Sequence, residues 1–165
     1  MDAELSRLSN EVGNWLRERG ARLACAESCT GGWVAAVVTA TAGSSAWFDS
    51  GFVTYSNEAK QRQLGVSAAT LGRHGAVSAE TVREMASGAL ARSGVEIALA
   101  VSGVAGPAGG SASKPVGMVC FAWAASDGWV RSETRHFHGD REAVRRQAVI
   151  HALDGIMRMP YSRMA

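Results

Sequence analysis

Several features are scarce in this sequence, and each scarcity excludes a class of protein. No apolar run reaches the roughly 18 residues that a membrane-spanning helix needs. The amino terminus has neither the basic flank nor the apolar stretch of a secretory signal peptide. A net charge of +2 is too small to indicate nucleic-acid binding, and 47% apolar residues argue against disorder. We therefore expect a folded cytoplasmic protein whose partners include neither nucleic acid nor membrane.

Cysteine is also scarce. Cys25, Cys29 and Cys120 are an odd number in a chain without export signals, so we expect reduced thiols rather than disulfides. Cys25 and Cys29 are close enough to suggest a metal pair, but no second pair or suitably spaced histidine group follows. The sequence therefore predicts no metal and no cofactor.

Lysine is the scarcest charged residue. Of the 17 basic residues only Lys60 and Lys114 are lysines, and the rest are arginines. The alternative interpretation of this ratio is a genome bias towards arginine. Because arginine cannot be deprotonated in a protein whereas lysine can be tuned to act as a base, a retained lysine points mildly to chemistry.

The pattern of apolar residues predicts one α/β domain over residues 1–165. Helical and extended periodicity give the order α-β-α-β-α-α-β-β-β-α, with a tight hairpin turn at Asp127 and Gly128. The predicted strands are residues 23–26, 47–55, 97–101, 116–125 and 130–137. Helices between the early strands favour a three-layer α/β/α sandwich, and the hairpin makes its sheet of about five strands mixed.

The first candidate for chemistry is Ser28, which lies where a predicted strand gives way to a helix. Free backbone N–H groups and the positive end of a helix dipole meet at such a junction, and they suit a phosphate or an oxyanion. Gly31 and Gly32 permit close backbone approach. The alternative is that Ser28 or Thr30 only caps the helix.

Tyr55 and Lys60 flank the next junction between a strand and a helix. We therefore expect both side chains to reach the same edge of a binding site. A lysine that must be neutral needs burial or nearby positive charge to lower its pKa. The alternative for Lys60 is an ordinary solvated surface lysine.

A glycine-rich stretch over residues 103–110 follows the third predicted strand. Ligands in open α/β sheets gather at the carboxyl ends of strands, which places this loop beside a ligand. The candidates for ligand contact are Ser102, Gly103, Gly106, Gly109 and Gly110. The alternative is a long connecting turn.

The last predicted helix opens with a cluster of arginines after Asp140. The forked donors of Arg141 and Arg145 suit a phosphate or a carboxylate. For Arg146 a charged, solvated first turn is the preferred interpretation.

Taken together, these segments resemble the family of the CinA C-terminal domain. The first matching stretch reads A-E-S-C-T-G-G at residues 26–32. The others, in the same order as in the family, are residues 43–45, 51–60, 74–78, 102–107, 109–110, 114–117 and 139–141. Each stretch is weak alone, whereas the series over residues 5–155 is highly specific.

The resemblance implies an enzyme of the pyridine nucleotide cycle. Stand-alone family members are nicotinamide-nucleotide amidases, described as serine amidohydrolases with a Ser/Lys pair at the positions of Ser28 and Lys60. Tyr55, Ser45, Thr30 and Ser102 fall on other polar positions around the family's pocket. The resemblance also implies that the amino-terminal domain of full-length CinA proteins is absent, and we expect a homo-oligomer, with a dimer favoured.

The predicted reaction is deamidation of nicotinamide mononucleotide. Neutral Lys60 takes the proton of Ser28, and Ser45 or Tyr55 relays protons. N–H groups near Cys29 and Thr30 stabilise the oxyanion. The glycine loop with Arg141 or Arg145 holds the 5′-phosphate. Two alternatives stay open: Cys29 as the nucleophile, and a non-catalytic module that binds a nucleotide or a partner protein.

Overall fold

The computed structural model describes residues 2–163, in which helices and strands alternate before a hairpin and a final helix. In chain order the elements are α1 (Ala3–Glu18), β1 (Leu23–Glu27), α2 (Trp33–Thr39), a 3-10 helix (Ser44–Ala46), β2 (Phe48–Val53), α3 (Asn57–Leu64), α4 (Ala68–His74), α5 (Ala79–Ser93), β3 (Ile97–Gly103), β4 (Met118–Ala125), β5 (Val130–His136) and α6 (Arg141–Met157).

The strands form one mixed sheet in the order β2-β1-β3-β4-β5. β1 lies between β2 and β3 and is parallel to both. β4 lies between β3 and β5 and is antiparallel to both. Every residue of β1 is buried, as expected for a central strand whose two faces are both covered. The predicted mixed sheet of about five strands is confirmed.

Helices cover both faces of this sheet. On one face, α1, α2 and α6 pack around residues such as Leu16, Leu99 and Leu153. On the other face, α5 and the segment of α3 and α4 pack around Leu64, Met85 and neighbouring alanines of the strands. The three-layer α/β/α sandwich is therefore confirmed. Within residues 2–163, none of the helices has the length and apolar character needed to cross a membrane.

Two details differ from the sequence prediction. α4 is an additional helix that the predicted order omits. It has seven residues and buries only Leu71, which is too little to produce a helical period in the sequence. β2 ends at Val53 rather than at residue 55, so Tyr55 lies beyond the strand.

Candidate active site

Ser28 stands at the carboxyl edge of the sheet. It directly follows β1, and its N–H donates to the carbonyl oxygen of Val101 in β3 at 3.0 Å. The chain then turns away through Gly31 and Gly32, which have φ angles of 61° and 97° that favour glycine. The sheet and the turn together fix the position of the Ser28 backbone.

Lys60 reaches Ser28 from the neighbouring helix. The hydroxyl of Ser56 caps α3 by accepting a hydrogen bond from the N–H of Ala59, which sets the helix so that Lys60 faces inward. Lys60 is only 1% exposed. Its Nζ lies 3.0 Å from the Oγ of Ser28 and donates to the carbonyl oxygen of Thr54 at 2.8 Å. The structure therefore joins the two side chains that the sequence singled out.

The surroundings of Lys60 favour the neutral amine. Burial lowers its pKa below the ordinary 10.5, and only Cys29 opposes that shift. Burial in turn raises the pKa of the Cys29 thiol to about 12, so near neutral pH Cys29 carries no negative charge. Within residues 2–163, Lys60 forms no ion pair with a carboxylate. A neutral Lys60 can accept the proton of the Ser28 hydroxyl.

The pair opens into a pocket of about 210 Å³. Six residues of its walls were predicted as site residues: Ser28, Lys60, Tyr55, Ser102, Gly103 and Arg141. The other four are Cys29, Ala76, Val77 and Ala105. The sequence had offered Cys29 only as an alternative nucleophile. Ala76, Val77 and Ala105 were not predicted, because small apolar side chains carry no chemical signal in a sequence.

Arg141 links this pocket to a second cavity. Its Nη1 donates to the carbonyl oxygen of Gly106 at 2.8 Å, and its Nη2 donates to the hydroxyl of Tyr55 at 3.0 Å. Tyr55 is 63% exposed, which places it at the rim. The second cavity has a volume of about 410 Å³ and is lined by Trp33, Arg141, Glu142 and Arg145. A ligand that fills both cavities would pass along Arg141.

The two arginines that follow on α6 have different partners. The guanidinium of Arg145 donates to the carbonyl oxygens of Cys29 and Thr30, at 3.1 and 3.0 Å. Arg146 instead pairs with Asp2 and Glu4 at the start of α1. Arg146 is therefore held away from the pocket.

Glu27 is a structural residue beside the site that sequence reasoning missed. This fully buried carboxylate accepts hydrogen bonds from the Thr30 hydroxyl at 2.6 Å and from the N–H groups of Val34 and Ala35 at 2.9 and 3.1 Å. It therefore occupies helix donors of α2 that the sequence had assigned to a ligand, and that expectation is corrected. An ordinary capping residue lies directly before the first turn of its helix, whereas Glu27 lies six positions before α2. Its hydrogen bonds to α2 could therefore not be predicted from the sequence.

Thr30 also differs from its predicted role. Its side chain is fully buried and donates to Glu27, so the hydroxyl does not face the pocket. The backbone N–H groups of Cys29 and Thr30 have no acceptor among residues 2–163. Thr30 as a whole is buried and lines neither cavity, so its predicted contact with a ligand is corrected, whereas Cys29 lines the smaller pocket.

Four further predicted residues lie outside the pocket walls. Ser45 is exposed in the 3-10 helix that precedes β2. β2 is parallel to β1, so Ser45, which precedes β2, lies at the amino edge of the sheet, whereas Ser28 lies at the carboxyl edge. The two residues are therefore separated by at least the length of β1, about 16 Å. The predicted proton relay by Ser45 within one chain is therefore wrong. Gly31, Gly109 and Gly110 are exposed and line neither cavity.

Titratable side chains elsewhere do not assemble into a metal centre. His151 and Glu133 lie 2.9 Å apart between β5 and α6, remote from Ser28. In the described part of the chain, no three His, Cys, Asp or Glu side chains are grouped so that they could hold a metal ion.

Comparisons with known proteins agree with one another. The family model of the CinA C-terminal domain matches residues 5–159. The nicotinamide-nucleotide amidohydrolase PncC of Escherichia coli (strain K12) is 57% identical over 152 residues, covering 92% of each chain. The protein of the same name from Pseudomonas putida is 55% identical over 156 residues, covering 94% of this chain and 96% of the other. The competence/damage inducible protein CihA from Agrobacterium tumefaciens has a crystal structure that matches with a TM-score of 0.92 and 43% identity, covering 96% of each chain.

Proposed function

Because the chain belongs to the family of the CinA C-terminal domain, we propose that it is an amidohydrolase that converts nicotinamide mononucleotide to nicotinate mononucleotide and ammonia. Relatives more than half identical over nearly the whole chain carry the name nicotinamide-nucleotide amidohydrolase. The proposal assigns Ser28 as the nucleophile and Lys60 as the base.

One observation carries this assignment. The Nζ of Lys60 lies 3.0 Å from the Oγ of Ser28, inside the protein and without a carboxylate partner. A surface lysine would be solvated and protonated, whereas a buried amine with a lowered pKa is able to remove a hydroxyl proton. The contact therefore supports acyl transfer rather than a purely structural role.

The reaction proceeds in two halves. As the Oγ of Ser28 attacks the carboxamide carbon, its proton passes to the Nζ of Lys60. The carbon–nitrogen bond then breaks, and the Lys60 ammonium gives the proton to the departing ammonia. In the second half Lys60 takes a proton from water, the resulting hydroxide attacks the acyl-enzyme, and the proton returns to the Oγ of Ser28.

The pocket supplies the remaining interactions. The N–H of Cys29, a residue that lines the pocket, lacks an acceptor among residues 2–163 and stabilises the oxyanion of each tetrahedral intermediate. Arg141 borders both cavities and binds the 5′-phosphate, with Gly106 holding its guanidinium in place. Tyr55 and Ser102 line the pocket beside the reacting amide.

An ammonia-release assay tests the proposal. The protein is incubated with nicotinamide mononucleotide and, in parallel, with free nicotinamide, and Ser28→Ala serves as the matched control. We expect ammonia from the mononucleotide only, because free nicotinamide offers Arg141 no phosphate. Equal activity on both substrates would contradict the phosphate assignment. Ligand-induced stabilisation without ammonia would instead indicate the non-catalytic nucleotide-binding module.

We also propose a domain organisation, a cellular location and an oligomeric state for the protein. We expect one catalytic domain over residues 1–165 that acts in the cytoplasm in pyridine nucleotide recycling. We also expect a homo-oligomer, with a dimer favoured. Light scattering coupled to size-exclusion chromatography measures this directly, and a monomer would contradict it.

A further inference from the structure

Ser102 is a buried serine of β3 that lines the pocket of Ser28 and Lys60. It is only 1% exposed, yet no hydrogen bond within residues 2–163 engages its hydroxyl. Its cross-strand neighbour Cys120 contacts the hydroxyl of Thr134 instead. Buried hydroxyl groups in proteins are normally hydrogen-bonded to protein, to ordered water or to a ligand. The hydroxyl of Ser102 is therefore available to a molecule in the pocket.

The strand register places Ser102 beside Ser28. β1 and β3 are parallel, and Glu27 at the end of β1 lies opposite Val101. The next residues along the two chains are Ser28 and Ser102, and the N–H of Ser28 donates to Val101 at 3.0 Å. Neighbouring strands lie about 4.8 Å apart, and side chains at matching positions point to the same face. The two hydroxyl groups therefore share one face of the sheet.

Lys60 approaches Ser28 from the other side. β1 lies between β2 and β3, and the Nζ of Lys60 is held by the carbonyl oxygen of Thr54, which follows β2. Thr54 is in turn bonded to β1, because its N–H donates to the carbonyl oxygen of Glu27 at 2.8 Å. Ser28 thus lies between Lys60 on the β2 side and Ser102 on the β3 side. A water molecule bound to both flanking groups would lie over the Oγ of Ser28, where the acyl carbon stands in an acyl-enzyme.

A serine hydroxyl is suited to hold such a water, because it both donates and accepts hydrogen bonds and carries no charge. The other polar groups of the pocket wall are less suitable. Tyr55 and Arg141 are hydrogen-bonded to each other at the rim, and the thiol of Cys29 is a weak acceptor. Lys60 and Ser28 are themselves the reacting groups. The hydroxyl of the β3 serine is therefore the best placed acceptor for the second hydrogen of the water.

We propose that Ser102 is a catalytic residue of the second half of the reaction, in which it holds the water that hydrolyses the acyl-enzyme. This inference rests on the proposed function and adds a residue to it. The water gives one proton to the Nζ of Lys60, while its other hydrogen donates to the Oγ of Ser102. The water oxygen bonds to the acyl carbon, the bond from that carbon to the Oγ of Ser28 breaks, and Ser28 regains a proton from Lys60. The acid that forms loses its remaining proton to solvent.

The test measures how the acyl-enzyme divides between water and a second nucleophile. The parent and Ser102→Ala are incubated with nicotinamide mononucleotide and hydroxylamine, and mass spectrometry quantifies the acid and the hydroxamate that form. Because both products come from one acyl-enzyme, their ratio does not depend on which half of the reaction is slower. Hydroxylamine is a stronger nucleophile than water and depends less on a positioning group. We expect Ser102→Ala to lower the ratio of acid to hydroxamate about 10- to 100-fold.

Three further variants control the measurement. Ser102→Thr keeps the hydroxyl and should keep the ratio within about threefold of the parent. Cys120→Ala removes a buried group directly across from Ser102 in β4, outside the pocket wall, and should leave the ratio unchanged. Thermal unfolding checks that each variant folds. If Ser102→Ala does not fold, Ser102→Cys takes its place, and its thiol, a weak acceptor, should give a similar fall in the ratio.

The outcomes separate this inference from the proposed function. A ratio in Ser102→Ala equal to that of the parent would overturn the inference alone, whether or not ammonia release falls. A parent that releases ammonia but forms no hydroxamate would have no acyl-enzyme for hydroxylamine to intercept, which overturns the inference and the role assigned to Ser28. A parent that releases no ammonia from the mononucleotide overturns the proposed function, and the inference with it.

Discussion

Glu27 and Ser28 are neighbours in the chain, yet they belong to two very different regions of the molecule. Glu27 points to the face covered by α2, where its carboxylate accepts from Thr30, Val34 and Ala35. Ser28 meets Lys60 of α3 on the opposite face. The first site gives a buried carboxyl group several hydrogen-bond donors. The second gives a buried amine a carbonyl oxygen and one hydroxyl.

This difference distinguishes a structural polar site from a reactive one. Both carboxylate oxygens of Glu27 accept hydrogen bonds from the chain that follows it, so this group fixes the turn. A buried amine without a carboxylate partner is destabilised in its charged form, so its proton is easily exchanged. Substitutions on the two faces should therefore affect different properties: stability on the Glu27 side and catalysis on the Ser28 side.

The largest effect is expected on the reactive face. Ser28→Ala and Lys60→Met should each lower the rate of ammonia release about a thousandfold, because each removes one partner of the proton transfer. Lys60→Met should not destabilise the fold. A protonated Lys60 is disfavoured in the folded state, so the variant gains stability relative to the parent most clearly below the lowered pKa, and the gain fades as pH rises towards 10.5. Activity within tenfold of the parent for either variant would contradict the assigned roles.

The next effect is expected on the structural face and concerns stability. Glu27→Gln removes charged hydrogen bonds in the interior and should lower the free energy of unfolding by about 2 kcal/mol. Thermal unfolding measures this as a midpoint lower by roughly 4–8 °C. Glu58→Gln, an exposed acid in the first turn of α3, is the matched control. An unchanged midpoint for Glu27→Gln would show that the two regions do not differ in the way described.

A smaller effect is expected for the side chain of Cys29, which lines the reactive pocket but whose thiol takes no part in the reaction. Because burial raises the pKa of its thiol to about 12, it is protonated at neutral pH and is a poor nucleophile. Cys29→Ala should retain kcat within about fivefold of the parent, since only a small side chain in the wall is lost. Cys120→Ala, in β4, is the control for losing a buried thiol. A collapse of activity comparable to that of Ser28→Ala would restore the cysteine mechanism.

The smallest effect is expected for Ser45. Because it lies at the amino edge of the sheet, Ser45→Ala should leave kcat and KM within about twofold of the parent. Steady-state kinetics of ammonia release measure both parameters. A tenfold fall in kcat would contradict this placement, because Ser45 would then have to contact an active site that it does not reach within its own chain.

The sequence predicted the fold well because its strands are apolar and its turns are rich in glycine. Residues 23–26 and 97–101 were predicted as the strands that became β1 and β3, and Asp127 and Gly128 marked the hairpin between β4 and β5. The missed α4 has one buried residue and leaves almost no periodic trace. The interpretation of residues 1–165 as one domain stays a prediction.

The site was predictable only where a residue type carries its own chemistry. Ser28, Lys60 and Arg141 stood out because a serine at a junction, a rare lysine and a helix-terminal arginine each suggest a role. The partners of Glu27 and Arg145 could not be predicted, since they depend on contacts with backbone groups that a sequence does not reveal. Ser45 was misplaced because its assignment came from resemblance rather than from the direction of the strands.

The central claim is that Lys60 is readily deprotonated, and the scarcity of lysine makes this measurable. In protein labelled with ¹³C at lysine Cε, only Lys60 and Lys114 contribute signals, and Lys114→Arg leaves Lys60 alone. Titration of that signal by NMR reports the pKa of Lys60 directly. The account predicts a midpoint clearly below 10.5, with kcat/KM rising as pH rises through the same midpoint. A midpoint at or above 10.5 would contradict it.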